Sequence, residues 1–295
     1  MVERYWAVLE NRGVLEVTGA DRRDFLQGLV SNDVAKATPD RALYAALLTA
    51  QGKYLHDFFI VAIGDALYLD GEAARLADLQ RRLGLYKLRA KVSLAEAGDR
   101  YAVAAAFGAG ALDALGLPRE RGAAAPFEGG IAYVDPRLAE MGARLLLPRG
   151  TGAAPLASRS FRMSDAAGYD RLRLSLGVPD GSRDLAVEKA ILLESGFDEL
   201  NGIDWQKGCY VGQELTARTK HRALIKKRLM PVTVDGPLPP SGTPVMADDQ
   251  EAGEMRSGRD GIGLALLRLE AVNEGKPLVA GGAKLTPRKP AWANF

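Results

Sequence analysis

A chain of 295 residues with 47% hydrophobic content is long enough for two or three compact units with real cores. Its 39 basic and 37 acidic residues leave a formal charge of +2, too mild to indicate nucleic-acid binding. No apolar run approaches the roughly 20 residues of a membrane-spanning helix, and the start, Met1-Val2-Glu3-Arg4-Tyr5-Trp6, lacks the layout of a signal peptide, so a soluble, cytoplasmic protein is expected.

In chain order, Tyr5–Leu9 and Val14–Thr18 flank Asn11-Arg12-Gly13 and predict a hairpin closed by turn formers. Asp21 is a candidate N-cap for a helix that carries Phe25, Leu26, Leu29 and Val30 on one face and stops at Asn32-Asp33. Short apolar stretches then predict strands over Tyr54–Ile63 and Ala66–Leu69, with turns at Gln51-Gly52 and Gly64-Asp65. Leu76, Leu79 and Leu83 predict a helix over Glu72–Leu83 that ends at Gly84. Strands at Tyr101–Phe107 and Ile131–Val134 complete the pattern of an antiparallel sheet with helices on one face. A further helix is predicted over Ser164–Leu176 with Ser164 as its cap. After Arg222 only strands and turns follow, at the spacing of a small closed or nearly closed β-barrel. The class is α+β, with an expected boundary between 1–222 and a barrel at 223–295.

Chemistry concentrates in Lys207-Gly208-Cys209-Tyr210-Val211-Gly212-Gln213-Glu214, which holds the only cysteine. Glycines permit a tight loop that presents the thiol, and Lys207 with a helix start near Gly212 would favour the thiolate. The alternative is a small buried hydrophobe in a core. One cysteine forms no internal disulfide and cannot supply the four thiolates that usually hold an iron-sulfur cluster, so Cys209 is a metal ligand only in a shared set. His56 and His221 are the only histidines, and no Cys-x-x-Cys spacing, P-loop, hydrolase elbow or dinucleotide fingerprint occurs. Downstream, Arg218, Lys220, Arg222, Lys226, Lys227 and Arg228 lie in a stretch without acids. Such a run is either a solvated face or a docking site for an acidic partner, an acidic ligand tail or, least supported, RNA.

The run Lys207–Glu214, continued by Leu215-Thr216-Ala217-Arg218-Thr219, resembles the signature of the YgfZ family, a branch of the folate-binding, GcvT-like proteins that includes a mitochondrial iron-sulfur assembly factor. Val17–Asp21, Phe25–Leu29, Ser31-Asn32-Asp33, Gln51-Gly52-Lys53 leading to Asp57, Leu85–Arg89, Gly177–Gly181 and Arg183-Asp184-Leu185 extend the likeness over most of the chain. The resemblance implies a three-part clover-leaf around a folate cavity with a C-terminal β-barrel. It also implies a tetrahydrofolate-type ligand, whose glutamate tail is a candidate for docking on the basic run, and a role in assembly, maturation or repair of iron-sulfur proteins. Cys209 would then act with an A-type cluster carrier on behalf of iron-sulfur client enzymes, with Lys207 supporting the thiolate and Gly208, Tyr210, Gly212, Gln213 and Glu214 shaping or supporting the loop.

Asn32, Asp33 and Asp57 are the folate-binding candidates, although Asn32 and Asp33 equally suit a helix end. GcvT-like aminomethyltransferases carry an Asp-Asp pair that includes the catalytic acid; the matching residues are His56 and Asp57, so the pair is half kept. A glutamate that holds the pterin there is replaced near Ser175. The rival readings are a folate-dependent one-carbon transferase using Asp57 and a binding module with a purely structural cysteine.

Overall fold

The computed structural model describes residues 3–221 and 225–295, and the chain divides into two compact units. The first comprises Met1–Leu48, His56–Tyr169 and Asn201–Val211; the second comprises Thr49–Leu55, Asp170–Leu200 and Gly212–Phe295. A linear cut at 222/223 is therefore not where the units part, because segments 49–55 and 170–200 belong with the barrel.

The first unit holds β1 (Arg4–Val8), β2 (Arg12–Thr18), β3 (Leu43–Leu48), most of β4 (Tyr54–Ile63), β5 (Ala66–Glu72), β6 (Ser93–Glu96), β7 (Tyr101–Gly108), β8 (Ala124–Phe127), β9 (Gly130–Val134), β10 (Ala143–Pro148) and β11 (Arg162–Met163). Its helices are α1 (Arg22–Gln27), α2 (Leu76–Leu85), α3 (Ala111–Ala114) and α4 (Ala153–Ser158). Two sheets result, ordered β11-β1-β7-β10-β9-β8 and β3-β4-β5-β2-β6. β1 and β2 do not form the expected hairpin: β1 pairs with β7 and β11, whereas β2 pairs with β5 and β6. The turn formers between them carry the chain from one sheet to the other.

β3 is buried at every position and β4 at all but its last, so both read as continuous apolar runs rather than alternating strands. Tyr44, Phe58, Phe59 and Tyr133 are among the largest fully buried side chains, each worth about 1.5–3 kcal/mol of transfer free energy. A polar cluster sits among them. Asp70 on β5 accepts from Arg12 Nε at 2.7 Å and from Arg144 Nη2 at 2.5 Å, with the Tyr133 hydroxyl at 3.3 Å. Burial would raise Asp70, but the two guanidinium groups hold it below the ordinary carboxylate value. The Phe59 ring lies 4.1 Å from the Arg144 guanidinium and 4.8 Å from that of Arg137.

Neither of the two expected side-chain caps forms, although Asp21 keeps the N-cap position of α1. Asp21 makes no side-chain bond to α1; its carboxylate accepts from the Lys91 amide at 2.7 Å. Ahead of α5 (Ala166–Leu176) the amides of Ala167 and Gly168 donate to Asp165, at 3.1 and 3.3 Å, rather than to Ser164. α2 also runs past Gly84 to Leu85.

In the second unit α6 (Gln213–His221) precedes β12 (Lys227–Asp235), β13 (Pro244–Ala247), β14 (Gln250–Arg259), β15 (Ile262–Arg268), α7 (Leu269–Asn273), β16 (Leu278–Ala280) and β17 (Ala283–Pro287). The six strands close into a barrel in the order β12-β15-β14-β13-β16-β17, around Met230, Val232, Val245, Met255, Ala265, Leu267 and Leu285. Buried Asp184 ties segment 170–200 to it, accepting from Arg173 at 2.7 Å and from the Ser257 amide and hydroxyl at 3.0 and 2.5 Å.

Candidate functional site

The signature residues of the first unit lie on a strandless segment that is pinned along its length to residues 27–32. The Ser31 hydroxyl donates to the Gly202 carbonyl at 2.6 Å, Asn32 Nδ2 to the Asn201 carbonyl at 2.7 Å, and the Asp204 amide to the Ser31 carbonyl at 3.0 Å. The Asp204 carboxylate then accepts from the amides of Gln206 and Lys207, at 2.8 and 3.1 Å, an Asx turn that reverses the chain. The Val211 amide closes the segment on the Gly28 carbonyl at 3.1 Å.

Lys207 is the central staple. Its ammonium donates to the carbonyls of Gln27, Val30 and Asn32 at 2.8, 2.6 and 2.8 Å, which uses all three N–H groups of a lysine. The Gln27 carbonyl is an orphan acceptor at the end of α1, whereas those of Val30 and Asn32 belong to the segment that follows, so the cation caps the helix and holds its exit segment together. The Tyr210 ring, buried, lies with its centroid 5.1 Å from the same nitrogen. Burial pushes Lys207 down to about 8, opposed by Asp33 and Asp204. The ammonium thus holds the backbone of the loop, and its three donors are taken up by carbonyls.

Cys209, two residues on, is exposed. Burial in a core, the bland alternative for a lone cysteine, is thereby removed. Gly212 adopts φ +81, the left-handed region that favours glycine, immediately before α6. Gly208 has no such requirement, since an added Cβ would meet nothing within 4 Å. Gln213 and Glu214 open α6 in the second unit, where Glu214 pairs with Arg218 at 2.6 Å on the surface.

The folate candidates are engaged internally. The two Asn32 amide hydrogens go to the Tyr44 and Asn201 carbonyls, and its oxygen accepts from the Asp33 amide. Asp33 accepts from Gln27 Nε2 at 2.9 Å and from the Ala35 amide. Asp57 is buried and accepts the Tyr44 hydroxyl at 2.8 Å. Its neighbour His56 bonds Asp78 at 2.9 Å; burial, reinforced by the Arg75 charge, lowers it to about 4 against the pull of Asp78.

Beside Asn32, however, a cleft of about 340 Å³ opens in the first unit, lined by Asn32, Tyr44, Lys36, Arg41, Arg121 and Trp205 among others. Lys36 is paired with Asp204 and Arg41 with Glu120. Its size falls in the range of small-molecule pockets. The sequence reading missed Trp205, Asp204 and Ser31; the Asp204-x-x-Lys207 spacing of the Asx turn was the signal available for one of them.

The basic run is not an open field. Lys220 pairs with Asp198 at 3.1 Å, and Arg228 is buried, donating to the Leu193 carbonyl at 2.9 Å and to Glu199 at 3.1 Å. With Arg218 held by Glu214, three of the six cations have acidic partners that are remote or helical neighbours; Lys226 is exposed, Lys227 is half-buried and Arg222 lies outside the described residues. Among the described residues no group of three or more His, Cys, Asp or Glu side chains could hold a metal ion, and no helix is long and apolar enough to cross a membrane.

Comparison with known proteins defines the class. The chain superimposes on the glycine cleavage system aminomethyltransferase T of Bartonella henselae with a TM-score of 0.79, covering 99% of this chain and 87% of that one at 14% identity, which establishes a GcvT-like fold. Residues 226–295 match the family described as the CAF17 C-terminal beta-barrel domain. The mitochondrial iron-sulfur cluster assembly factors IBA57 of Homo sapiens and Mus musculus are 37% and 35% identical, covering 90% of this chain and 79% and 77% of theirs. The homologue of Aspergillus oryzae is 30% identical over 91% of this chain and 71% of its own length. The chain belongs to the IBA57 family of iron-sulfur cluster assembly factors. These relatives are named mitochondrial, which overturns the expectation of a cytoplasmic location.

Proposed function

We propose that this chain is a folate-binding accessory factor for the assembly, maturation or repair of iron-sulfur proteins, in which Cys209 contacts the cluster while an A-type carrier holds it. The observation that carries the reading is an exposed thiol on a segment whose backbone is fixed by the Lys207 staple. A single thiolate is one ligand of the four a cluster usually takes, so the remaining ligands come from the carrier or a second copy. A fixed loop lowers the ordering cost of forming such a shared set. The client enzymes are those that receive the finished cluster.

For the folate, Asn32, Asp33 and Asp57 as found do not offer a free edge to a pterin. The neighbouring cleft fits the chemistry better: Trp205 and Tyr44 supply aromatic surface, and Lys36, Arg41 and Arg121 suit the carboxylates of a tetrahydrofolate tail. Asp57 would act on it only through Tyr44. No observation favours aminomethyl transfer, since the Asp57 carboxylate is buried and already holds a hydroxyl.

The test mixes the purified protein with a cluster-loaded A-type carrier, wild type against Cys209→Ser, and follows cluster absorbance and complex formation. A stable wild-type complex that Cys209→Ser fails to form is expected; equal behaviour of the two removes the thiol. In a parallel arm tetrahydrofolate should raise the melting temperature with the logarithm of its concentration, and Trp205→Ala should reduce the shift.

A further inference from the structure

The end of α2 and the turn that follows it are unusual for a protein surface. Leu85, Tyr86 and Leu88 are 67%, 43% and 91% exposed, and they alternate with Lys87 and Arg89, also exposed. Leu88 is held at φ +40, a left-handed conformation that a leucine adopts at a cost, and it spends that cost on placing an apolar side chain in water. Arg81 and Arg82 on α2 close on Asp78. Among the described residues no acidic side chain pairs with Lys87, Arg89 or Lys91. Apolar tips ringed by uncompensated cations mark an interaction surface.

This turn is coupled to the signature segment through α1. At the N-terminal end of the helix the Lys91 amide donates to Asp21 and the Asp21 amide to the Lys91 carbonyl. Contact there is so close that a Cβ on Gly19 would stand 2.1 Å from the Lys91 oxygen. At the C-terminal end Lys207 and Val211 bond the carbonyls of Gln27 and Gly28. Six helical residues span only about 9 Å, and a protein partner of ordinary interface size covers a patch about 30 Å across. A partner seated over Cys209 and Trp205 is therefore large enough to extend to the 85–91 turn.

We propose that Leu85–Lys91 is a docking ridge for an acidic, apolar-edged face of the protein that meets Cys209, a role the sequence had suggested for the run at 218–228. The proposal rests on the Cys209 reading. A bilayer would also accept leucines and cations, but it offers nothing to the thiol at the other end of α1.

The test uses the full chain with the triple variant Lys87→Gln, Leu88→Asn, Arg89→Gln. All three positions are exposed, and asparagine suits the left-handed backbone, so the melting temperature should hold or rise. Binding of a cluster-loaded A-type carrier is measured at low and high salt for wild type, the triple variant and Cys209→Ser, beside sedimentation with anionic phosphatidylserine vesicles. The proposal expects the triple variant to bind the carrier at least tenfold more weakly, mainly through slower association and with a flatter salt dependence, while Cys209 keeps wild-type reactivity toward a disulfide reagent. A triple variant that binds like wild type while Cys209→Ser fails overturns the ridge and leaves the thiol standing. Loss in the triple variant with normal behaviour of Cys209→Ser supports the ridge and overturns the thiol reading. Vesicle binding that the triple variant abolishes, without carrier binding by wild type, overturns a protein occupant in favour of a membrane; binding to neither overturns both.

Discussion

Between the two sheets of the first unit, Arg12 and Arg144 close on Asp70 with every charge buried. In the 201–211 segment a cation again meets oxygen atoms, as Lys207 closes on three carbonyls, yet two residues away the thiol is exposed. In the first region all polar capacity is consumed by the fold, and removing a partner strands a buried charge. In the second the polar capacity fixes the backbone beside a thiol that faces outward. The two should respond oppositely to substitution: the cluster in stability, the thiol in activity.

The largest effect should come from Arg144→Met, which leaves the Asp70 carboxylate with Arg12 alone and should destabilise the protein by about 3–5 kcal/mol in urea titration. A cost below about 1 kcal/mol would mean that the cluster relaxes without needing both cations. Next is a pH effect at His56, whose folded value near 4 lies below its unfolded 6.5. The unfolded chain binds the extra proton in that window, so stability present above pH 6.5 is lost as pH falls toward 4, by up to about 3 kcal/mol. His56→Gln should flatten this slope; an unchanged slope would assign it to other groups. Asp78, held well below the usual carboxylate range by Arg82, Arg81 and His56 despite its burial, titrates at lower pH.

Lys207→Met should cost less, about 1–2 kcal/mol, because the three freed carbonyls are only partly buried. Its sharper signature is local, in faster amide exchange across 201–211 with the sheets still protected. Equal exchange in both regions would show that the staple is dispensable.

Much of the fold was legible because apolar stretches bounded by turn residues report burial directly: β4, β5, β7, β9 and the barrel strands lie where such stretches put them. Pairing was not, since β1 and β2 satisfy a hairpin pattern whichever sheet each joins. Capping failed at Asp21 because a remote amide, that of Lys91, competed for its carboxylate. At the site, Cys209 stood out by being alone, and its exposure agrees with that reading. The staple made by Lys207 was not legible because the acceptors of its three hydrogen bonds are backbone carbonyls 175 to 180 residues away, which no side-chain pattern announces. The basic run misled for a related reason: the partners of Lys220 and Arg228, Asp198 and Glu199, precede it in sequence. The exposed Leu88 is legible only in the structure, since the sequence pattern ends the helix at Gly84 and does not say what covers the leucines beyond it.

Cys209→Ser should lie at the bottom of the stability series, since exchanging sulfur for oxygen on an exposed side chain opens no cavity. That makes it the most direct test of the central claim. In cells whose only copy carries Cys209→Ser, protein level and melting temperature should match wild type while iron-sulfur enzyme activities fall to those of cells lacking the protein. Enzyme activities equal to wild type would contradict the claim that the exposed thiol is the working group.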